Sequence, residues 1–414
     1  MPDARYDCLI AGAGPAGAAA GILLAQAGHR VLIVEKQAYP RFHVGESLIP
    51  AVNRMLKKLG VWERMDELGF LRKYGAEFLY GDGSQMVHNV FANGYVPGYE
   101  FTYEVERSRF DQLLRDRAIE VGCDVRQPVA INSLSQEQGG WIAQLSTGDN
   151  AQANWLLDGT GRGGILPRHL GLKPSGYDDL PKRFAVYSHF RGVRRRAGRE
   201  AGNITVVRVP DGWFWSIPID DERTSVGLVT MGNASRKRPE EIFQEQVESN
   251  SFMRDWMAGA ESVGHFRVEA DYSFRQPQFA GENWFLLGDA ACFLDPVFSS
   301  GIFLAFASAE HVVELLSGQA RAARRLTPAE QQAYHRRLSK NVAVMRRLVS
   351  LFYDPHGISV FMSPSNRCQM FAAVNAVIAG HTNLDFGLWW RFNLFCLICR
   401  LNRRLPIVPL VELS

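Results

Sequence analysis

The pattern of apolar and polar positions changes twice along the chain. At the start, residues 6–11 (YDCLIA) form a short apolar run that ends in glycines. Residues 17–27 are rich in Ala and Leu, and residues 30–35 (RVLIVE) are again apolar and β-branched. This order predicts strand, helix, strand: one βαβ unit, the opening half of a doubly wound α/β domain. Two later runs, 155–157 and 284–287, also end in glycine turns (Asp158-Gly-Thr-Gly161 and Gly288-Asp289) and read as returns to the same sheet. The second leads into a helical stretch over 302–316. Between them, from about 184 to 231, the period shortens to two: AVYSHF, ITVVRV, WFWSIPI and TSVGLVT alternate as strands of an antiparallel sheet do. From about 327 onward the texture is mostly helical.

The expected fold is therefore α/β. A Rossmann-like dinucleotide-binding domain is built from residues 1–180 and 270–325. An antiparallel β-sheet substrate domain, 181–269, is inserted in it, and a helical C-terminal segment or lid spans 326–414. The 414 residues, 46% of them hydrophobic, suffice for a well-buried core. A net charge of +3 with 21% charged residues gives no reason to expect a nucleic-acid groove. The opening MPDARYDCLI has neither the basic start nor the apolar stretch of a signal peptide, which points to the cytoplasm. Of six scattered cysteines only Cys396 and Cys399 have CxxC spacing, in an aromatic run without a second pair. Buried thiols are expected there, and no metal site. The nearest approach to a membrane segment, 386–399, is short and broken by Arg391 and Asn393. It is expected to pack on the body of the protein rather than to contact a membrane.

Gly12-Ala-Gly14-Pro-Ala16-Gly17 fits GxGxxG in its full context, after a strand and before a helix. The first glycine permits a tight turn, the second lets a pyrophosphate approach the backbone, and the third lets helix and strand pack closely. Glu35, at the end of the second strand, is placed to accept hydrogen bonds from a ribose. This motif does not distinguish NAD from FAD. The strand ending in Gly288-Asp289-Ala resembles the second FAD contact of the p-hydroxybenzoate hydroxylase type of flavoprotein, and no second dinucleotide domain for a nicotinamide is legible. By that resemblance Asp289 holds the ribityl chain. Arg107, in VERSRFDQLL, contacts the flavin, although pairing with Glu104 or Asp111 is an alternative use of its charge.

Three further segments resemble flavin-dependent halogenases. Trp213-Phe-Trp215-Ser-Ile217-Pro218 fits that family's WxWxIP, which implies a bulky wall beside the flavin; alternation of these residues onto one strand face is the plainer account. Lys73, in GFLRKYGAEF, falls where the family has its catalytic lysine, which delivers a hypohalous species. Asp295-Pro-Val-Phe-Ser-Ser300-Gly301 resembles the halide loop, with Ser300 and Gly301 offering N–H groups to chloride or bromide. PRFHVGESLIP resembles the family too. By the resemblance Arg41 and Ser47 there, and Gly301 and Ile302 in the halide loop, face FAD. Phe298 stands where tryptophan halogenases carry a glutamate that assists the indole. Its presence points to substrates that activate themselves: phenols, resorcinols or pyrroles, free or tethered to an acyl or peptidyl carrier protein. The implied reaction uses FAD as FADH2, supplied by a separate NAD(P)H-dependent flavin reductase, together with O2 and chloride or bromide. An aromatic hydroxylase, an isoprenoid reductase and a flavin-binding protein without oxygen chemistry are the competing expectations. Glu46 and His43 lie near the motifs but are not assigned as a base.

Overall fold

The computed structural model describes residues 5–137, 139–180, 182–231, 237–270, 273–316 and 324–411. The boundary residue 181 and the first four residues of the opening segment lie outside them. The first sheet runs in the order Ala280–Gly281, Trp284–Leu286, Asn150–Asp158, Tyr6–Ala11, Val31–Val34, Asp124–Arg126. Its four central pairings are parallel. The apolar runs that marked these strands are buried on both faces, as parallel strands covered by helices require. Register decides where their turns emerge. Ala11 pairs with Asp158, and Asp158 with Leu286, so the glycine turns after all three strands come out at one edge of the sheet. That edge, at the carboxyl ends of parallel strands, is where open α/β sheets bind ligands.

The second sheet runs Glu261–Ser262, Phe184–Arg191, Arg223–Thr230, Gly212–Pro218, Ile204–Val209, Gly75–Tyr80, Gln85–Val90, with Arg267–Ala270 also on Phe184–Arg191. It draws on more of the chain than the alternating stretch alone. Residues 75–90, assigned by pattern to the nucleotide-binding part (1–180), join it through a parallel pairing of Gly75–Tyr80 with Ile204–Val209. The alternation that would have shown this was masked because Gly75–Tyr80 is buried at all six positions.

The helices Pro239–Ser249 and Ser251–Trp256 cover one face of this sheet, where Phe214, Val226 and Leu228 meet Phe243 and Val247. The opposite face carries Trp213, Trp215 and Ile217 into the main core. The C-terminal segment is helical: Pro328–Tyr353, Pro355–Phe361, Met370–Ile378 and Phe386–Leu401. It is tied to both sheets, by the Tyr334 hydroxyl donating to the Leu286 carbonyl at 2.8 Å and by Phe352 and Phe361 packed edge-on against Phe78. In the last helix Leu388, Phe392, Phe395, Cys396 and Cys399 face inward while Phe386, Trp389 and Leu397 are exposed. No helix among the described residues is long and apolar enough to cross a membrane.

The nucleotide-binding edge depends on glycine at two points. Gly12 has φ +93°, and a Cβ there would lie 2.7 Å from the Gly159 carbonyl oxygen. At Gly17 a Cβ would lie 2.0 Å from the Gly12 carbonyl oxygen, an overlap with backbone that no rotamer relieves. Gly17→Ala is therefore expected to cost about 3 kcal/mol or more. Chemical denaturation checks this, and a loss under about 1 kcal/mol would mean that the turn does not pack this closely.

Candidate functional site

The site lies between the two sheets. On the nucleotide side, the loop Gly12–Gly14 leads into the helix Pro15–Gln26, whose first N–H groups lack intrahelical acceptors. The Glu35 carboxylate is fixed by the loop itself, accepting from the Ala13 N–H at 3.0 Å and the Gln37 N–H at 2.9 Å. Gly288, at φ +49°, packs 3.4 Å (from its would-be Cβ) from Ala16, which sets the Gly288-Asp289 turn against the first turn of that helix. The two dinucleotide motifs, far apart in sequence, thus share one place. Desolvation pushes the Asp289 carboxyl up to about 6, with the Arg107 and Arg162 charges opposing.

Arg41 lies beside Gly14, with a guanidinium nitrogen 3.5 Å from where a Cβ would be. Its Nη2 donates to the Tyr39 hydroxyl at 3.1 Å and its Nη1 lies 3.5 Å from Asp111 Oδ2, while its buried Nε has no hydrogen-bond acceptor. A guanidinium with a donor left unfilled, beside a glycine loop and a helix N-terminus, fits a pyrophosphate. Arg107 is spent differently. It is buried and forms a two-pronged pair with Asp111, at 2.8 and 3.0 Å, while its Nη1 donates to the Val44 carbonyl at 2.8 Å. Of its two alternative partners Asp111 is the one taken, in the interior rather than on a helix surface. Arg107 braces the loop that carries Arg41.

On the opposite side, Lys73 ends a three-residue strand, Leu71–Lys73, paired antiparallel with Thr102–Glu104. Its side chain is 1% exposed, so a charge there needs partners. The Nζ donates to Ser47 Oγ at 2.7 Å and to the Leu48 carbonyl at 2.9 Å, and lies 3.8 Å from Glu104 Oε1. The Phe91 ring lies 5.6 Å away. Burial lowers the Lys73 pKa, and the Glu104 charge partly offsets that. Ser47, expected at the cofactor, thus has its hydroxyl between Lys73 and Glu104. Glu46 points elsewhere, its carboxylate 2.7 Å from His189 Nε2.

Lys73 and the Asp295–Gly301 loop open onto the same narrow cavity. It is lined by Lys73, Ile49, Phe91, Val206, Phe298 and Ser299, together with other apolar residues. Ser299 holds the left-handed conformation (φ 53°), a strained turn for a residue with a side chain, and hands the chain to the helix Gly301–Leu316. Ser300 is buried at that helix's N-terminus, where backbone N–H groups and the helix dipole favour an anion. The wall is Trp213 and Trp215, with ring centroids 5.9 Å apart. Gly227, directly opposite Trp215 on the next strand, leaves room for the indole: a Cβ there would meet it at 2.2 Å. Ile217 and Pro218 complete the same strand.

Residues 7–97 and 83–357 match the family model for tryptophan halogenase. A 1H-pyrrole-2-carbonyl-[peptidyl-carrier protein] chlorinase of Pseudomonas fluorescens is 33% identical over 338 residues, 75% of either chain. A flavin-dependent halogenase of Armillaria mellea is 31% identical, covering 80% of this chain and 70% of the relative. The chain belongs to the flavin-dependent halogenases. Among solved structures, the flavin-dependent brominase Bmp2 superposes with a TM-score of 0.84 at 25% identity, over 97% of this chain and all of that one. A flavoprotein/dehydrogenase from Cytophaga hutchinsonii gives 0.86 at 27%, over 97% of this chain and all of that one. Membership in this family makes the protein an FAD-dependent enzyme, and the Arg41 guanidinium beside the glycine loop, with its Nε unfilled, fits that cofactor.

Three residues that contact the candidate site were not singled out from the sequence. Glu104 was noticed only as a possible partner for Arg107, and its only signal was its place in the segment carrying that arginine. Tyr353 and Arg183 carried no motif. The Tyr353 hydroxyl donates to Asp295 Oδ2 at 2.9 Å and accepts from Trp213 Nε1 at 2.8 Å, and the Arg183 guanidinium stacks 3.4 Å over its ring. One phenol thereby joins the helix Pro328–Tyr353, the strand carrying Trp213 and the Asp295–Gly301 loop. Burial pushes the Asp295 carboxyl up to about 6, with the Val297 N–H and Arg183 opposing. A separate trio, Glu77, His88 and Glu200, brings possible metal-ligand atoms within 4.8 Å. Glu77 already binds Arg196 at 2.8 Å and alternates away from Ala76 and Phe78 of the same strand. Tyr353→Phe would strand the buried Trp213 N–H and an Asp295 oxygen, at an expected cost of about 2 kcal/mol. Urea denaturation reads this directly, and an unchanged midpoint would mean the three-way junction does not form in solution.

Proposed function

We propose that this halogenase chlorinates or brominates an electron-rich aromatic ring, a phenol, resorcinol or pyrrole, and that Lys73 delivers the halogen. The observation that carries this reading is the shared cavity: the one buried ammonium of the region and the Phe298-Ser299 segment of the halide loop line the same narrow space. When bound as FADH2, the flavin would supply O2 activation and so the oxidation of halide. The protein's own part is positional. Ser300 and Gly301 present N–H groups at a helix N-terminus for the halide. Lys73 offers an N–H from a site shielded from water, where a hydrogen bond to a hypohalous oxygen is strong and the oxidant is kept from bulk solvent. Trp213 and Trp215 stand as the wall that separates substrate from cofactor.

The remaining lining is apolar, and no carboxylate is among it. Phe298, packed on Phe78 and Phe352 at 5.7 and 6.0 Å, holds the place of an assisting glutamate. A ring that meets only hydrocarbon there must supply its own electron density, which favours hydroxy- or pyrrole-type nuclei. Similarity to a chlorinase of a carrier-bound pyrrole supports a tethered substrate as one form. A separate NAD(P)H-dependent reductase would supply FADH2: the second stretch with GxGxxG spacing, Gly159 to Gly164, follows a strand of the same sheet and leads only into the five-residue helix Ile165–His169, so it does not open a second dinucleotide domain.

The test offers phenols, resorcinols and pyrroles, free and carrier-bound, to the purified enzyme with FAD, a flavin reductase, NADH, O2 and bromide. Mass spectrometry is expected to show the bromine isotope doublet on product. Oxygen incorporated without halogen would replace this reading with a hydroxylase.

A further inference from the structure

Glu104 is 0% exposed, its Oε1 accepts from Ser47 at 3.2 Å, and its Oε2 has no hydrogen-bond partner. A buried carboxylate with an unused oxygen is costly unless its charge does something. The backbone places it with care: Thr102–Glu104 pairs with Leu71–Lys73, and an isolated bridge sets Ser47 opposite Glu104. Lys73 and Glu104 are diagonal neighbours on one face of that ribbon, with the Ser47 hydroxyl between them.

We propose that Glu104 is a positioning residue for Lys73: through Ser47 it aims the amine at the cavity, and as its counter-charge it keeps the amine protonated as the pH rises. The role attached to that amine rests on the halogenation reading above. The groups acting on the pair are few. Lys73 has Glu104 and the Phe91 ring. Glu104 has Lys73, Ser47 and the more distant Glu46, whose own partner is His189. Burial raises the Glu104 carboxyl to about 8, with Lys73 and Ser47 opposing and Glu46 adding to the rise. Where the carboxyl is ionised, the carboxylate holds the ammonium against the lowering that burial imposes. An amide at this position cannot develop that charge.

The experiment compares wild type with Glu104→Gln. The titration of Lys73 is followed by 15N NMR of lysine-labelled protein, assigned with Lys73→Met, alongside the pH profile of halogenation. The Lys73 midpoint is expected to fall by about one unit or more in Glu104→Gln, and the basic limb of the profile with it. The two proteins should match at pH values where both keep Lys73 protonated and differ about tenfold on the basic limb, as one unit of displacement requires. An unmoved Lys73 midpoint overturns the proposal whatever the activity does. A lowered midpoint with an unmoved activity profile sustains it and counts instead against Lys73 as the delivering group. Should Glu104→Gln not fold, reciprocity supplies the second arm: in Lys73→Met the Glu104 carboxyl, followed by 13C NMR, must titrate higher than in wild type, and no change overturns the proposal.

Discussion

A lysine ammonium buried where two sheets meet is the constraint around which the rest is arranged. Unpaired, such a charge would cost several kcal/mol and would shed its proton. Lys73 is met by a hydroxyl, a backbone carbonyl and, at 3.8 Å, the Glu104 carboxyl. Each of these comes from a different constraint on the chain. The Ser47–Leu48 segment follows the loop braced by Arg107, and Glu104 sits on the strand that leads into Arg107's helix. Satisfying one amine therefore ties the cofactor-side loop to the first strand of the substrate-side ribbon. An ammonium is tolerated there because its acceptors are preorganised, and preorganised polar groups in a dry space are what a reactive halogen species calls for.

A second junction has an opposite character. Tyr353 links the tryptophan wall to Asp295, and Arg183 covers its ring. The C-terminal helices so become part of the site and not only a cover over it. Their Phe352 and Phe361 rings pack on Phe78 and Phe298, two residues that line the cavity shared with Lys73. The left-handed Ser299 sits between these junctions, where both ends of its loop are held.

What could be read from the sequence was local. Apolar runs ending in glycine turns gave the parallel strands, and the motif glycines gave the edge at which they converge, because turn geometry depends on residues adjacent in the chain. WFWSIP carried a face as well as a motif: Trp213, Trp215 and Ile217 do lie together in the main core, with Phe214 on the other side. The failures were non-local. Gly75–Tyr80 joined the second sheet because it is buried on both faces, which erases the alternation a strand of a half-exposed sheet shows. Glu104 and Tyr353 act through partners distant in the chain, and no spacing rule records such a meeting. Ser47 was assigned by motif to the cofactor, and only the pairing of Ser47 with Glu104 places its hydroxyl on the lysine.

The central claim is that the buried Lys73 amine passes oxidised halogen to the aromatic ring. The measurement that tests it most directly is the balance of O2 consumed against halogenated product in wild type and Lys73→Met, both loaded with FAD and supplied with reductase, bromide and an accepted substrate. O2 consumption by the variant is expected to stay within about twofold of wild type, with halogenated product reduced at least about a hundredfold, the scale lost with one positioned proton donor. Product formed by Lys73→Met at the wild-type rate would contradict the claim.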